Sequence, residues 1–196
     1  MSSRRKFERK LGEKRYRRLF VIATEGTKTE PEYFSMFNND NLIVKVQCLK
    51  GDGKSDPLHV LKRMKLYLKS SGLKISDEAW LVVDKDQWTD EQLKTLHHWS
   101  QEKENHGMAL SNPLFEYWLL LHFEKGGGIA SARTCIERLR QHLPDYDKGI
   151  NRGKIKKEMI VEAVARAKEK DSPSCPDWPR DPGTTVYRLV EKILNT

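Results

Sequence analysis

Four carboxylates stand where a folded chain would have to compensate them. Asp84 and Asp86 close the segment "WLVVDKD", one residue apart at the end of an apolar run. Glu25 stands in the same relation to an earlier run, "LFVIATEG" over residues 19–26. Glu116 lies inside "SNPLFEYWLLLHF", flanked by Phe115, Tyr117 and Trp118. Side chains alternate along an extended segment, so Asp84 and Asp86 point the same way. Two like charges on one face repel unless a cation relieves them. Hard oxygen ligands on loops suit Mg²⁺, which keeps several waters and takes one or two carboxylates plus substrate phosphates; Mn²⁺ accepts the same donors.

The plainer readings are a turn aspartate after a strand and, for Glu116, a carboxylate favouring a helix dipole. A lone Asp-x-Asp would be read that way. The recurrence of an acid at the end of a second strand favours the metal, and a carboxylate among aromatic side chains is expected to be paired or metal-bound. Two loops supply positive charge nearby, Lys28 in "EGTKTEP" and Lys54 in "GDGKSD". Lys28 is placed to steady a phosphate in a transition state, whereas Lys54 reads as a solvated turn lysine. The phosphate-loop pattern GxxxxGK[ST] is absent, as is the nucleophile elbow GxSxG. Cys135 has no neighbouring histidine in sequence to make it a nucleophile, and His122 reads as a packed, hydrogen-bonded histidine.

The elements that must position these groups follow from the periodicity. Apolar runs at 19–24, 42–49, 80–83 and 107–110 read as strands. Thr29 with Glu32, and Thr89 with Gln92, have capping-box spacing and open helices. Asp56-Pro57 starts a helix closed by Gly72, and the helix from Thr89 extends to about Asn105. Asn112 reads as the N-cap of a long apolar helix with Pro113 in its first position, which makes Glu116 the fourth. The alternation β-α-β-α-β-α-β-α with continuous apolar strands is the pattern of a parallel sheet covered on both faces. In a parallel α/β sheet, ligand chemistry gathers at the carboxyl ends of the strands. Beyond the glycines 126–128 the pattern is helical at 131–143 and 155–170. A Pro-rich loop at 172–183 follows, and Thr184 or Thr185 caps a last helix; no strand signal is present there.

Bulk properties narrow the classes. The chain has 196 residues, 37% hydrophobic and 33% charged, which suits a folded domain rather than a disordered one. No apolar run approaches the roughly 20 residues of a membrane span, and the N-terminus lacks the apolar stretch of a secretory signal. Three scattered cysteines offer neither a disulfide framework nor a zinc site, which fits a reducing cytoplasm. The net charge is +8, and residues 1–18 hold nine basic residues against Glu8 and Glu13, or +7 of that total. Arg4, Arg5, Lys6, Arg9, Lys10, Arg15, Arg17 and Arg18 in this segment are candidates for nucleic-acid phosphate contacts; a solvated, frayed terminus is an equal reading. The organisation expected is a basic flexible arm over 1–18, an α/β core over 19–125 and a helical extension of the same domain over 126–196.

The blocks "TEGTKTEPEYF", "VVDKDQW", "SNPLFEYWLLLHF" and "PGTTVYRLVEKI" together resemble the RloB-like family of bacterial proteins, in order along nearly the whole chain. That family is similar to the Toprim fold of topoisomerases, primases and overcoming-lysogenization-defect nucleases. The resemblance implies a Toprim-like (Rossmann-like) α/β fold with a parallel sheet of about four strands. It also implies Mg²⁺ (or Mn²⁺) held by Glu25, Asp84 and Asp86, with Glu116 as a further acidic position. By the same resemblance, the setting is phage defence and the partner an ABC/SMC-like ATPase. The reading is a metal-dependent nuclease in which Glu25 is ligand or general acid/base and Lys28 assists. Its substrate is DNA or RNA, including transfer RNA, because no helix-turn-helix or RNP signature separates them. The alternative is a non-catalytic module on the same fold that binds a nucleotide or docks on the ATPase.

Overall fold

The continuous apolar runs become the interior strands of one sheet. The computed structural model describes residues 18–38, 44–51, 56–85, 88–147 and 149–196. Four parallel strands, β1 (Arg18–Thr24), β2 (Val44–Leu49), β3 (Glu78–Asp84) and β4 (His106–Asn112), alternate with helices α1 (Thr29–Ser35), α2 (Pro57–Ser71) and α3 (Asp90–Gln101). Then come α4 (Phe115–Leu120), α5 (Ala132–His142), α6 (Lys157–Lys170), a two-residue strand β5 (Gly183–Thr184) and α7 (Val186–Leu194). The strand order is β2-β1-β3-β4-β5, with β5 antiparallel to β4. The fold is therefore a Rossmann-like α/β sheet, mostly parallel.

Alternation along each strand builds two cores. Phe20 and Ile22 of β1, Trp80 and Val82 of β3, and Ala109 of β4 pack with α1, α4, α5, α6 and α7. Val21 and Ala23, Leu81 and Val83, and Leu110 face α2 and α3. Strands buried on both sides show no polar alternation, which is why they read as unbroken apolar runs. From β1 the chain continues to β2 on one side, while β3 lies on the other. This reversal is a topological switch point, where the loops after β1 and β3 diverge and leave a crevice at the carboxyl ends.

The capping chemistry holds for two helices. Asp56 accepts from Leu58 N, with Pro57 in the first turn, and Gly72 (φ 66°) ends α2. Thr89 and Gln92 form the full capping box of α3, although that helix ends at Gln101 rather than near Asn105. Three expectations are corrected. Thr29 and Glu32 form no capping box: Lys28 is the N-cap, the Thr29 hydroxyl meets Tyr146 and the Glu32 carboxylate accepts from Ile150 N. Asn112 belongs to β4, and its amide donates to the carbonyls of Pro179 and Arg180. Leu114 is the N-cap of α4, so Glu116 is the second helical residue of a short helix, not the fourth of a long one.

A further correction is β5. Thr184 and Gly183 pair with Ser111 and Asn112, the Ser111 and Thr184 hydroxyls lie 2.8 Å apart, and Thr185 exchanges two hydrogen bonds with Leu110. The hydroxyls of "PGTTVYRL" thus fasten the C-terminal segment to the carboxyl end of β4. No described helix is long and apolar enough to cross a membrane.

Candidate functional site

Glu25 is the first residue past β1, and its backbone N–H still donates to Val82 O of β3 at 3.1 Å. That bond holds the loop against the neighbouring strand. The Glu25 carboxylate then accepts the backbone N–H of Asp84 at 3.2 Å and the indole N–H of Trp88 at 3.2 Å. Both Glu25 and Asp84 are half-buried. The two acids expected at neighbouring strand ends therefore meet at the switch point between β1 and β3. Gly26 makes the turn fit: its N–H donates to Glu30 at 2.7 Å, and a Cβ at this position would collide with that carboxylate. Thr24 ties the same turn from the other side by donating to Gly26 O.

Asp84 continues the face of Trp80 and Val82, toward α4 and α5. The Cys135 thiol of α5 reports the neighbourhood. Burial pushes it up to about 12, and the negative charges of Glu116 and Asp84 both add to that shift. Asp84 and Glu116 thus lie within electrostatic reach of one sulfur. A thiol held protonated in this way is no nucleophile.

Glu116 is 8% exposed and accepts the Tyr146 hydroxyl at 2.6 Å; that hydroxyl also lies 3.3 Å from Thr29 Oγ1. Burial and the Glu116 charge raise the Tyr146 phenol well above its ordinary value, so it stays a donor. Lys28 is exposed and donates to Asp147 O at 3.2 Å. It leans on the 146–150 loop, which Glu32 also grips through Ile150 N. His122 is a packed histidine, bonded to Tyr33 and to the carbonyls of Trp118 and Leu119, and burial lowers it to about 4.

Asp86, Lys54 and the basic residues Arg4, Arg5, Lys6, Arg9, Lys10, Arg15 and Arg17 lie outside the described residues. Arg18 is the first residue of β1, where its guanidinium pairs with buried Glu78 at the amino end of the sheet. It is therefore a full strand, about 20 Å, from the carboxyl-end crevice. Two contributors escaped sequence reasoning. Trp88 follows the acid pair and binds Glu25 across 63 residues, and Tyr146 binds Glu116 across 30. The only local signal was an aromatic residue within each acidic, turn-rich stretch.

Among the described residues, no group of three or more His, Cys, Asp or Glu side chains is arranged to hold a metal ion. Glu25 meets the backbone of Asp84 rather than its carboxylate, and the three described acids Glu25, Asp84 and Glu116 are not gathered into such a group; their side chains nonetheless offer hard oxygens of the kind Mg²⁺ takes. They fit such an ion in chemistry, and Asp86 is the further ligand the sequence offers.

A family model described as RloB-like protein matches residues 20–193. No match was found among curated proteins or among solved structures. The matched span carries the β1 and β3 loops, α4 with Glu116, and the C-terminal segment fastened to β4. By that match over most of its length, the chain belongs to the RloB-like protein family.

Proposed function

We propose that the protein is a metal-dependent nuclease that cleaves nucleic-acid phosphodiesters, with Mg²⁺ or Mn²⁺ as its cofactor. The observation that carries this reading is the meeting of Glu25 and Asp84 at the switch point, where the Glu25 carboxylate accepts the Asp84 N–H. Glu25, Asp84, Asp86 and Glu116 would hold the ion, whose role when bound is to lower the pKa of water and neutralise phosphate charge. The chain's own part is orientation and proton handling. Trp88 and the Asp84 N–H fix the rotamer of Glu25, which would serve as ligand or as the acceptor of a proton from water. Tyr146 fixes Glu116 in the same way. Lys28, exposed in the loop that carries Glu25, would supply positive charge to the phosphate. A role in phage defence and an ABC/SMC-like ATPase partner rest on the family resemblance alone.

One observation favours a second reading. Glu25 and Glu116 both already accept hydrogen bonds from protein donors, as suits a rigid module that binds a nucleotide or an ATPase without cleavage. Incubation of the purified chain with labelled DNA and RNA, with EDTA or with Mg²⁺ or Mn²⁺, alone and with the partner ATPase, separates the two. Cleavage that appears only with the divalent ion supports the nuclease. Intact substrate in every arm supports the binding module.

A further inference from the structure

A cavity of about 490 Å³ opens beside the acidic site, lined by Lys85, Asn112, Pro113, Ser131, Ala132 and Arg180. It is adjacent by construction: Lys85 follows Asp84, and Asn112 follows Ser111, the register partner of Asp84. Among the described residues its lining has two cations and no carboxylate, with Asp90 and Asp177 paired to those cations from outside the lining, whereas the neighbouring strand ends carry the acids. From this juxtaposition we infer that the cavity is a subsite for a phosphodiester group of the nucleic-acid backbone, next to the one at the carboxylates. The inference rests on the nuclease reading for its ligand, but it concerns binding and not cleavage.

Both cations are held in place by the fold. The Lys85 backbone N–H donates to Ser111 O and Pro113 O, which anchors the base of its side chain at the end of β4. Its ammonium lies 3.6 Å from half-exposed Asp90, too far for a good hydrogen bond and the kind of surface pair that contributes little. Exchanging Asp90 for a phosphate therefore costs little. Arg180 comes from the Pro-rich loop, which Asn112 secures by donating to Pro179 O and Arg180 O. The guanidinium stacks 4.4 Å over the buried Trp178 ring and binds Asp177 through both terminal nitrogens, and one of these also donates to Trp178 O. Three of its five N–H groups are thus used to orient it. The Nε–H and the second Nη2–H remain, on a side chain half exposed to solvent.

The chemistry selects an anion with several oxygens and little apolar surface. Arginine donates a planar fork matched to phosphate, and lysine adds a mobile point charge. Among the described residues the apolar lining is one proline ring and one alanine methyl, too little to stack a base. The Pro-rich loop, which has no acid or metal ligand of its own in the proposed reaction, thereby gains a purpose. It carries a cation to the mouth of the switch-point crevice.

The test is binding of a labelled single-stranded oligonucleotide to the full chain in EDTA across a salt series, so that cleavage plays no part. Lys85→Ala and Arg180→Ala should each weaken binding about two- to fivefold. Each should also reduce the slope of log K against log salt by about 0.7, the value of one lost phosphate contact on a single strand. Arg180→Lys should keep the slope even where loss of the Asp177 fork loosens the loop. Lys168→Ala, which removes an exposed α6 cation paired with Glu191 of α7, should change neither quantity. Unchanged slopes in Lys85→Ala and Arg180→Ala, or an equal loss in Lys168→Ala, overturn the proposal. So does loss of inorganic phosphate binding with oligonucleotide binding intact, which would assign the cavity to a free anion. Failure of the nuclease reading would show instead as absent cleavage with these slopes in place.

Discussion

Glu116 is nearly buried, negatively charged and satisfied by a single strong donor, the Tyr146 hydroxyl at 2.6 Å. A buried carboxylate that loses such a partner bears the desolvation penalty uncompensated. Tyr146→Phe should therefore destabilise the protein by about 1–3 kcal/mol, measured by denaturant unfolding. An unaltered midpoint would mean that the hydroxyl does not hold Glu116 in solution. His122 gives a second residue-scale outcome. Its folded value, about 4 against an ordinary 6.5, is depressed by burial, so the unfolded chain takes up its proton first as pH falls. The protein should lose about 3 kcal/mol from this group between pH 6.5 and 4, and nothing from it above pH 6.5. Unfolding of wild type and His122→Gln across that range measures the difference; parallel pH profiles would remove His122 as the cause.

At the scale of elements, the joint between β4 and the C-terminal segment stands on Thr185, whose hydroxyl accepts the Leu110 N–H at 2.9 Å inside the fold. Thr185→Val keeps the shape and orphans that donor, so it should cost about 1–3 kcal/mol, with Thr185→Ser recovering most of it. Equal stability of the valine and serine variants would show that the joint does not depend on this bond. The four parallel strands and the caps of α2 and α3 were legible because their signals are local: apolar runs, Asp56-Pro57, and Thr89 with Gln92. The start of α4 was not, because Asn112 looks like a cap but spends its amide on carbonyls 67 and 68 residues away. Thr29 and Glu32 mislead in the same way, since Tyr146 and Ile150 outcompete the helix end for them. β5 has two residues, too few to show any period. The placement of Glu25 and Asp84 at strand ends could be read from sequence, whereas Trp88 and Tyr146 enter only through folding.

For the molecule as a whole, the order β2-β1-β3-β4 makes β1 and β3 neighbours and opens the crevice between their outgoing loops. That single topological fact gathers Glu25 and Asp84, which lie 59 residues apart. It also puts Lys85 and the Arg180 loop at the rim, while Arg18 lies at the far end of the sheet. On the proposed function, phosphate binding and phosphodiester chemistry belong to separate groups, so they should fail separately when mutated. The most direct measurement is divalent-dependent cleavage of labelled nucleic acid by wild type and by an Asp84→Ala, Asp86→Ala double variant, with binding followed in parallel. The account predicts that the variant binds as well as wild type, or slightly more tightly because charges that repel phosphate are gone, and does not cleave. Full cleavage by the double variant would contradict it.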